Sequence, residues 1–212
     1  MPLEVHPVTE SDFKDFVDIQ YGAFSGGMAS KLNPPPITPE HLQKSIEKHI
    51  KNAQDEPDLH FMKVIDTDLN GKMIAGAKWR INHEERTEEQ VRLVQIPTPG
   101  PEYEGNQAAK DFLKFLAHVR TTWMGTKPFY FLHLLVTRPD HQRRGAGTLL
   151  LNWGLEQSDK AQIPAFLEST REGLQVYEKV GFKPVEEQTF DLSKYGGTGW
   201  DSSTAMIREP AS

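Results

Sequence analysis

Residues 142–147 of the chain, Gln-Arg-Arg-Gly-Ala-Gly, have the composition of an anion-binding turn. They follow an apolar run that ends at Val136, and a helical pattern begins after them at Thr148. The first amides of a helix have no carbonyl partners within the helix, and the helix dipole is positive at that end. Gly145 and Gly147 remove the side chains that would hold a phosphate away, and the two arginines add positive charge. The segment therefore predicts a phosphate-binding loop at a strand-to-helix junction.

Alternative interpretations of this segment can be compared with its residues. A helix start with two glycines and solvent-facing arginines would look the same, so the loop alone leaves that alternative open. A Walker A loop needs GxxxxGK followed by Ser or Thr, which the sequence lacks. A dinucleotide-binding turn needs a third glycine where the chain has Leu150, although Glu168 lies at a suitable distance downstream. Only about a third of the chain follows the loop, which leaves little room for a doubly wound nucleotide domain.

Two titratable residues near the predicted loop could act as a general base. His133 lies in the apolar run before the loop, and a histidine titrates near neutral pH, so it could accept a proton from a substrate. A histidine in such a strand could equally be a hydrogen-bonded core residue. Glu168 ends the following predicted strand and is the other candidate. Glu84 and Glu85 form an acidic turn that would favour a cationic amine if it faced the same site, but a solvated turn also explains it.

The spacing of apolar residues predicts the elements that must position these side chains. Strands are expected near 3–7 and at 59–65, 73–81, 128–136, 165–168, 182–190 and 203–208. Helices are expected around 13–20, 39–50, 107–123, 148–155 and 171–179. Strands that alternate with helices around a mixed sheet are typical of an α/β fold. An apolar stripe in the third helix, made of Phe112, Phe115, Leu116 and Val119, predicts either core or a dimer face.

Composition excludes several classes of protein. The 212 residues contain 24 Lys and Arg against 30 Asp and Glu, a net charge of −6, so no global positive field would attract nucleic acid or anionic lipid. The absence of cysteine excludes disulfides and thiolate metal sites, and the eight histidines show no compact ligand spacing. We expect no metal site. No apolar run reaches the roughly 18 residues that a membrane span needs, and the first residues do not resemble a signal peptide. These features predict a soluble protein, by default a cytoplasmic one.

Two separated motifs together carry a resemblance to a known family. Gln142-x-x-Gly145-x-Gly147 after Leu134-Leu135-Val136 resembles the acetyl-CoA-binding motif of the GCN5-related N-acetyltransferase (GNAT) superfamily. The segment Tyr177-x-x-x-Gly181-Phe182 is similar to the one that follows that motif in the superfamily, and the stretch AFLESTREGLQVYEKVGF looks like the version of fungal members. The resemblance covers roughly residues 128–190, while the N-terminal elements agree with the family only in their order.

The resemblance implies how acetyl-CoA would bind. The cofactor would lie in a splay between the strand Phe129–Thr137 and the strand Ala165–Glu168, with backbone amides near residues 135–137 on the pantetheine. Amides of residues 143–148 would contact the pyrophosphate, and Arg143 or Arg144 would reach the 3′-phosphate. Thr170 stands where many relatives have an Asn that touches the cofactor. The implied cofactor-binding residues are Leu135, Val136, Thr137, Gln142, Arg143, Arg144, Gly145, Ala146, Gly147, Thr148 and Thr170.

The resemblance also implies a direct transfer reaction. A deprotonated amine would attack the thioester, and Tyr177 would protonate the departing thiolate, with His133 or Glu168 as the candidate base. Tyr177 could instead only pack its helix on the sheet.

We therefore expect a single domain over residues 1–212 with the acyl-CoA N-acyltransferase fold. Its mixed, mostly antiparallel sheet would be flanked by helices and splayed between the fourth and fifth strands, with an insertion at about 84–127 between the third and fourth. The expected function is acetyl transfer from acetyl-CoA to a primary amine, most simply on a small molecule. The expected partners include no nucleic acid and no membrane, and a homodimer stays open. The alternative is a non-catalytic acyl-CoA binding or sensing module.

Overall fold

The computed structural model describes residues 2–24, 26–32 and 36–211. This part of the chain contains seven strands and six α-helices. The strands are β1 (Leu3–Pro7), β2 (Leu59–Asp66), β3 (Lys72–Asn82), β4 (Phe129–Thr137), β5 (Ala165–Thr170), β6 (Lys183–Asp191) and β7 (Trp200–Arg208). The helices are α1 (Phe13–Ala23), α2 (Pro39–Asp55), α3 (Glu88–Val94), α4 (Gln107–Val119), α5 (Ala146–Ala161) and α6 (Leu174–Glu178). A π-helical turn, Arg120–Met124, follows α4.

The described residues fall into two compact units, each assembled from separate stretches of chain. The first unit takes residues 2–24, 36–81 and 130–161, and the second takes 26–32, 82–129 and 162–211. The prediction of one domain over the whole chain is not tested by this grouping and stays a prediction. The same holds for the predicted insertion at about 84–127, the stretch in which the structure has α3, α4 and the π-helical turn.

Four strands of the first unit lie in the order β1-β2-β3-β4. β1 and β2 pair antiparallel with Leu3 opposite Asp66, and β2 and β3 pair antiparallel with Leu59 opposite Arg80. α1 covers this layer because its buried residues recur with helical spacing, so that Phe13 and Phe16 meet the core together. The remaining members of that core cluster are Ile19, Leu59, Phe61, Met73 and Val136.

Helix α5 packs closely against strand β3 in the first unit. Gly154 of α5 permits this approach, because a Cβ at that position would clash with the indole ring of Trp79. Trp79 is fully buried, and its Nε1 donates a hydrogen bond to the carbonyl of Leu150 at 3.3 Å. This contact with Trp79 fixes the axis of α5. It therefore also fixes the start of the helix at Ala146, one to two turns before the contact.

The strands of the second unit lie in the order β5-β7-β6. β5 and β7 pair antiparallel with Ala165 opposite Arg208, and β6 and β7 pair antiparallel with a bulge between Pro184 and Glu186. The apolar stripe of α4 is buried in this unit. Its Phe112 and Phe115 lie 5.9 and 6.1 Å, centroid to centroid, from the ring of Phe190. The core interpretation of the stripe therefore holds, and a homodimer stays a prediction.

The observed elements confirm the predicted α/β class with mostly antiparallel strand pairing. Several element bounds differ from the sequence expectations, among them α5, which begins at Ala146 rather than at Thr148, and three further differences have a local cause. The stretch after β3 contains α3, which the expectation did not include, because Thr87 and Gln90 form a capping box that starts a helix of only seven residues. The helix expected at 107–123 changes at Arg120 into a π-helical turn. The helix expected at 171–179 is only Leu174–Glu178, because Gly173 ends a turn after β5.

Candidate functional site

The predicted phosphate loop lies in the first unit between β4 and α5. Arg138 anchors the end of β4, since its amide donates to the carbonyl of Ile74 at 2.9 Å and its Nε to that of Met73 at 2.9 Å. The chain then turns through residues 139–145, where Arg143 has a φ of 59° and Gly145 a φ of 88°. Both values lie in the left-handed region, which glycine adopts without steric cost and other residues adopt with strain. Gly145 therefore supplies the conformation that turns the chain into α5.

The start of α5 presents free backbone donors. The Gly145 carbonyl accepts the amide of Leu149 at 3.1 Å. The amides of Ala146, Gly147 and Thr148 precede that bond and have no carbonyl partner within the helix. A Cβ on Gly147 would lie 3.8 Å from the hydroxyl of Thr137 and 3.9 Å from Leu135. These three amides and the space beside Gly147 form a cradle, with β4 on one side. Any larger side chain at position 147 would occupy this cradle.

The two arginines of the loop differ in their partners. Arg144 donates from Nη2 to the Asp66 carboxylate at 2.6 Å, and its Nη1 contacts His141 Nδ1 at 2.8 Å. Asp66 is 1% exposed, so this carboxylate lies inside the protein and fixes Arg144. Among the described residues none forms a hydrogen bond or ion pair with Arg143, which is exposed to solvent. Arg143 is therefore the more available cation for a ligand, whereas Arg144 stabilises the loop.

His133 shares a strand face with the residues that line the cradle. Side chains alternate along a strand, so His133, Leu135 and Thr137 project to the same side of β4. On the opposite side Val136 joins the core cluster beneath α1. His133 is partly buried, and its ring lies 5.1 Å from that of Phe131, centroid to centroid. This placement puts a titratable ring on the face of β4 that also carries Leu135 and Thr137.

Glu168 and Thr170 lie in the second unit on β5. Both oxygens of Glu168 accept hydrogen bonds from Arg120, from Nε at 2.6 Å and from Nη2 at 3.1 Å. The Thr170 carbonyl accepts the Gly173 amide at 3.0 Å, which closes the turn into α6. The sequence expectation named Glu168 without its partner. No local pattern could have found Arg120, because it lies 48 positions away in the chain.

Tyr177 lies on α6 in the second unit with a protonated phenol. Its ring meets that of Phe182 edge-to-face at a centroid distance of 6.0 Å. Burial raises the pKa of Tyr177 to about 12, because an anionic phenolate would lose its hydration there. The structure thus places Leu135–Thr148 and His133 in the first unit, and Glu168, Thr170 and Tyr177 in the second. Gln142, the remaining residue of the expected set, is exposed in extended conformation with φ −64° and ψ 162°.

Within the described residues no group of three or more His, Cys, Asp or Glu could hold a metal ion. In the same part of the chain no helix is both long and apolar enough to span a bilayer.

Comparison with protein families gives a match in the region of the loop. Residues 122–192 match the model described as "Acetyltransferase (GNAT) domain". The chain is 48% identical over 46 residues to "Probable acyltransferase SID5" of Ajellomyces capsulatus, an alignment that covers 22% of this chain and 34% of that protein. It is 32% identical over 90 residues to an uncharacterized N-acetyltransferase of Schizosaccharomyces pombe, covering 40% of this chain and 35% of the other. The alignments thus span about a third of each curated relative.

Solved structures match over the full length of the chain. A crystal structure from Corynebacterium glutamicum, described as histone acetyltransferase HPA2 and related acetyltransferase, has a TM-score of 0.63 at 18% identity and covers 100% of this chain and 98% of that one. Mosquito arylalkylamine N-acetyltransferase like 5b has a TM-score of 0.65 at 12% identity, covering 98% and 99%. The PaiA N-acetyltransferase of Thermoplasma acidophilum, solved with coenzyme A, has a TM-score of 0.52 at 14% identity, covering 99% of each chain. At these identities the likeness concerns the fold.

Proposed function

We propose that the chain, which matches a GNAT acetyltransferase domain over residues 122–192, is an acetyl-CoA-dependent N-acetyltransferase that acts on a primary amine of a small molecule. The observation that carries the proposal is the open cradle at the start of α5. Three backbone amides are free of helical partners there, and Gly147 leaves the space between them and β4 empty of side chain.

The loop residues would hold the cosubstrate by its phosphates. Amides of residues 143–148 donate hydrogen bonds to the pyrophosphate, and the positive end of the α5 dipole adds to this attraction. Arg143 binds the 3′-phosphate, because Arg144 is already paired with Asp66. The backbone of Leu135–Thr137 binds the pantetheine and polarises the thioester carbonyl. Gln142 and Thr170 complete the proposed set.

Tyr177 and His133 would move the protons of the reaction. His133 accepts the proton of the substrate ammonium, directly or through water, so that the neutral amine can attack the thioester carbonyl. The carbon–sulfur bond then breaks, Tyr177 gives its proton to the coenzyme A thiolate, and the second proton that the nitrogen loses as the amide forms restores the phenol. With a pKa of about 12 the phenol is protonated at every physiological pH, which an acid catalyst requires.

Gly147→Glu tests the cradle directly. We expect the glutamate to abolish coenzyme A binding in a calorimetric titration, because it fills the cradle and places a negative charge where the pyrophosphate binds. Gly26→Glu is the matched control, since a Cβ on Gly26 meets nothing within 4 Å. Unchanged coenzyme A affinity in the Gly147 variant, with both variants folded, would contradict the proposed site.

An amine panel then separates an enzyme from an acyl-CoA sensor. The proposal expects thiol release from acetyl-CoA with at least one of an aromatic amine, a polyamine and an amino acid. Tight coenzyme A binding without release on any amine would favour the non-catalytic module. We also propose a cytoplasmic location, on the cysteine-free composition, and keep the single-domain organisation as part of the proposal.

A further inference from the structure

Arg120 joins three segments of the second unit. Its Nε and Nη2 donate to the two oxygens of Glu168 at 2.6 and 3.1 Å, and its Nη1 donates to the backbone carbonyl of Gln95 at 3.1 Å. Only 7% of the Arg120 side chain and 8% of the Glu168 side chain is exposed. One buried guanidinium therefore connects the residue after α3, the π-helical turn and β5.

The π-helical turn gives Arg120 its position. α4 ends at Val119, and the amide of Gly125 donates to the carbonyl of Arg120 at 2.9 Å, five residues back. A π-helical turn accommodates an extra residue, and such turns are frequent at functional sites. Gln95 is itself buried and its Nε2 contacts the carbonyl of Gly125 at 3.4 Å. The π-helical turn and the residue after α3 thus contact the Arg120 side chain on one side, and Glu168 of β5 contacts its guanidinium on the other.

Two contacts connect the end of β5 with Tyr177. Ser169 is 1% exposed, and its hydroxyl donates to the carbonyl of Thr170 at 2.7 Å. A Cβ on Gly173 would lie 2.9 Å from the Ser169 hydroxyl and 2.9 Å from Cε2 of Tyr177. The tyrosine ring, Gly173 and the end of β5 are therefore in mutual contact. We expect a shift of β5 at Glu168 to reach the phenol through Ser169 and Gly173, because these contacts are close.

We propose that Arg120 is a positioning residue, which fixes the carboxylate of Glu168 and thereby holds the end of β5 and the phenol of Tyr177 in place. This inference rests on the proposed acetyltransferase function. Glu168 then serves as the anchor on β5 and leaves the general-base role to His133, because both of its oxygens already accept hydrogen bonds from one guanidinium.

Arg120→Lys tests the proposal, with Arg80→Lys as the matched control. Lysine keeps the charge but lacks the planar fork that contacts two oxygens at once. Arg80 is also buried and pairs with Asp58 at 2.7 Å and Glu56 at 2.5 Å, in the first unit. We expect hydrogen exchange of the peptide spanning residues 165–178 to accelerate about tenfold in the Arg120 variant and to stay unchanged in the Arg80 variant.

Steady-state kinetics provide the second readout. We would measure kcat and KM with the amine, from the panel described above, that the wild-type protein acetylates fastest. Arg120→Lys should lower kcat about tenfold and change the KM for acetyl-CoA less than about twofold. The shape of the pH profile should not change, and Glu168→Gln should keep that shape too, since an amide oxygen still accepts from Arg120. If Arg120→Lys does not fold, Arg120→Met combined with Glu168→Met takes its place, because the double variant leaves no buried charge unpaired.

Three outcomes would overturn the inference. One is exchange in residues 165–178 that does not differ between the Arg120 and Arg80 variants. Another is an equal effect of these two substitutions on kcat. The third is loss of the acid limb of the pH profile in Glu168→Gln, which would make Glu168 the base. A wild type without thiol release would contradict the proposed function instead, and the exchange experiment would still decide the role of Arg120.

Discussion

At the scale of single residues, protein environment separates side chains of the same type. Arg143 and Arg144 are neighbours in the sequence, yet a buried carboxylate holds one and none of the described residues pairs with the other. Two tyrosines show the same effect. Burial raises the pKa of Tyr177 to about 12. Burial also raises the pKa of Tyr195, and there the hydrogen bond with Asp111 adds to the shift. Only Tyr177 is in the proposed set of catalytic residues.

Tyr177→Phe should lower kcat by about 10² or more, because a positioned general acid typically contributes 10²- to 10⁴-fold. Coenzyme A affinity should stay at the wild-type value, since the loop amides do not depend on the phenol. Stopped-flow thiol release and calorimetry measure the two quantities. Wild-type kcat in this variant would remove Tyr177 from the reaction and leave it a packing role against Phe182.

At the scale of elements, α5 connects packing in the sheet with the predicted phosphate loop. The helix carries the cradle at its first turn and the contact between Gly154 and Trp79 further along. A helix is stiff over this length, so the loop cannot be placed correctly unless the contact forms.

Gly154→Ala should therefore destabilise the protein by about 1–3 kcal/mol, the usual effect of overpacking a core. It should also weaken coenzyme A binding, because α5 moves away from β3. Gly22→Ala is the control, since a Cβ there meets only Pro139 at 4.0 Å and alanine favours the helix. Urea unfolding and calorimetry give both effects. Equal stability of the two variants would show that Trp79 gives way to the added methyl group.

At the scale of the whole molecule, a buried histidine links folding to pH. His49 is 8% exposed, lies among Phe13, Phe16 and Phe61, and contacts Gln20 at 2.9 Å. Burial lowers the pKa of His49 to about 3, with smaller contributions from Lys78 and Lys48. The folded state therefore disfavours the proton that the unfolded chain accepts near pH 6.5.

The free energy of unfolding should fall as the pH drops from 6.5 toward 3, because only the unfolded state binds the proton in that range. Above pH 6.5 His49 is neutral in both states and does not lower the free energy of unfolding. Between pH 6.5 and pH 3 the decrease in this free energy can reach several kcal/mol. His49→Gln should reduce this pH dependence, whereas His6→Gln should not, since 44% of the His6 side chain is exposed. Urea titrations at pH 7 and pH 4.5 measure both variants. An unaltered pH dependence in His49→Gln would refute the assignment.

The sequence by itself determined the structural features that depend on residues within one continuous segment of the chain. An apolar strand, two spaced glycines and a following helix specify the loop locally, because backbone conformation depends on neighbours in the chain. The order of strands and helices and the motif at Tyr177 follow from the same kind of local pattern. Element ends were less well specified, as α6 and the π-helical turn show, because caps and packing compete there.

Only the tertiary structure decided which charges meet. Asp66 lies 78 positions from Arg144, and Arg120 lies 48 positions from Glu168, so neither pair leaves a periodic or spaced signal in the sequence. A buried carboxylate needs a partner, and folding selects whichever cation the sheet and helices bring within hydrogen-bond distance. These contacts determine which arginine is available to a phosphate and how Glu168 is used, because ion pairing depends on distance in space.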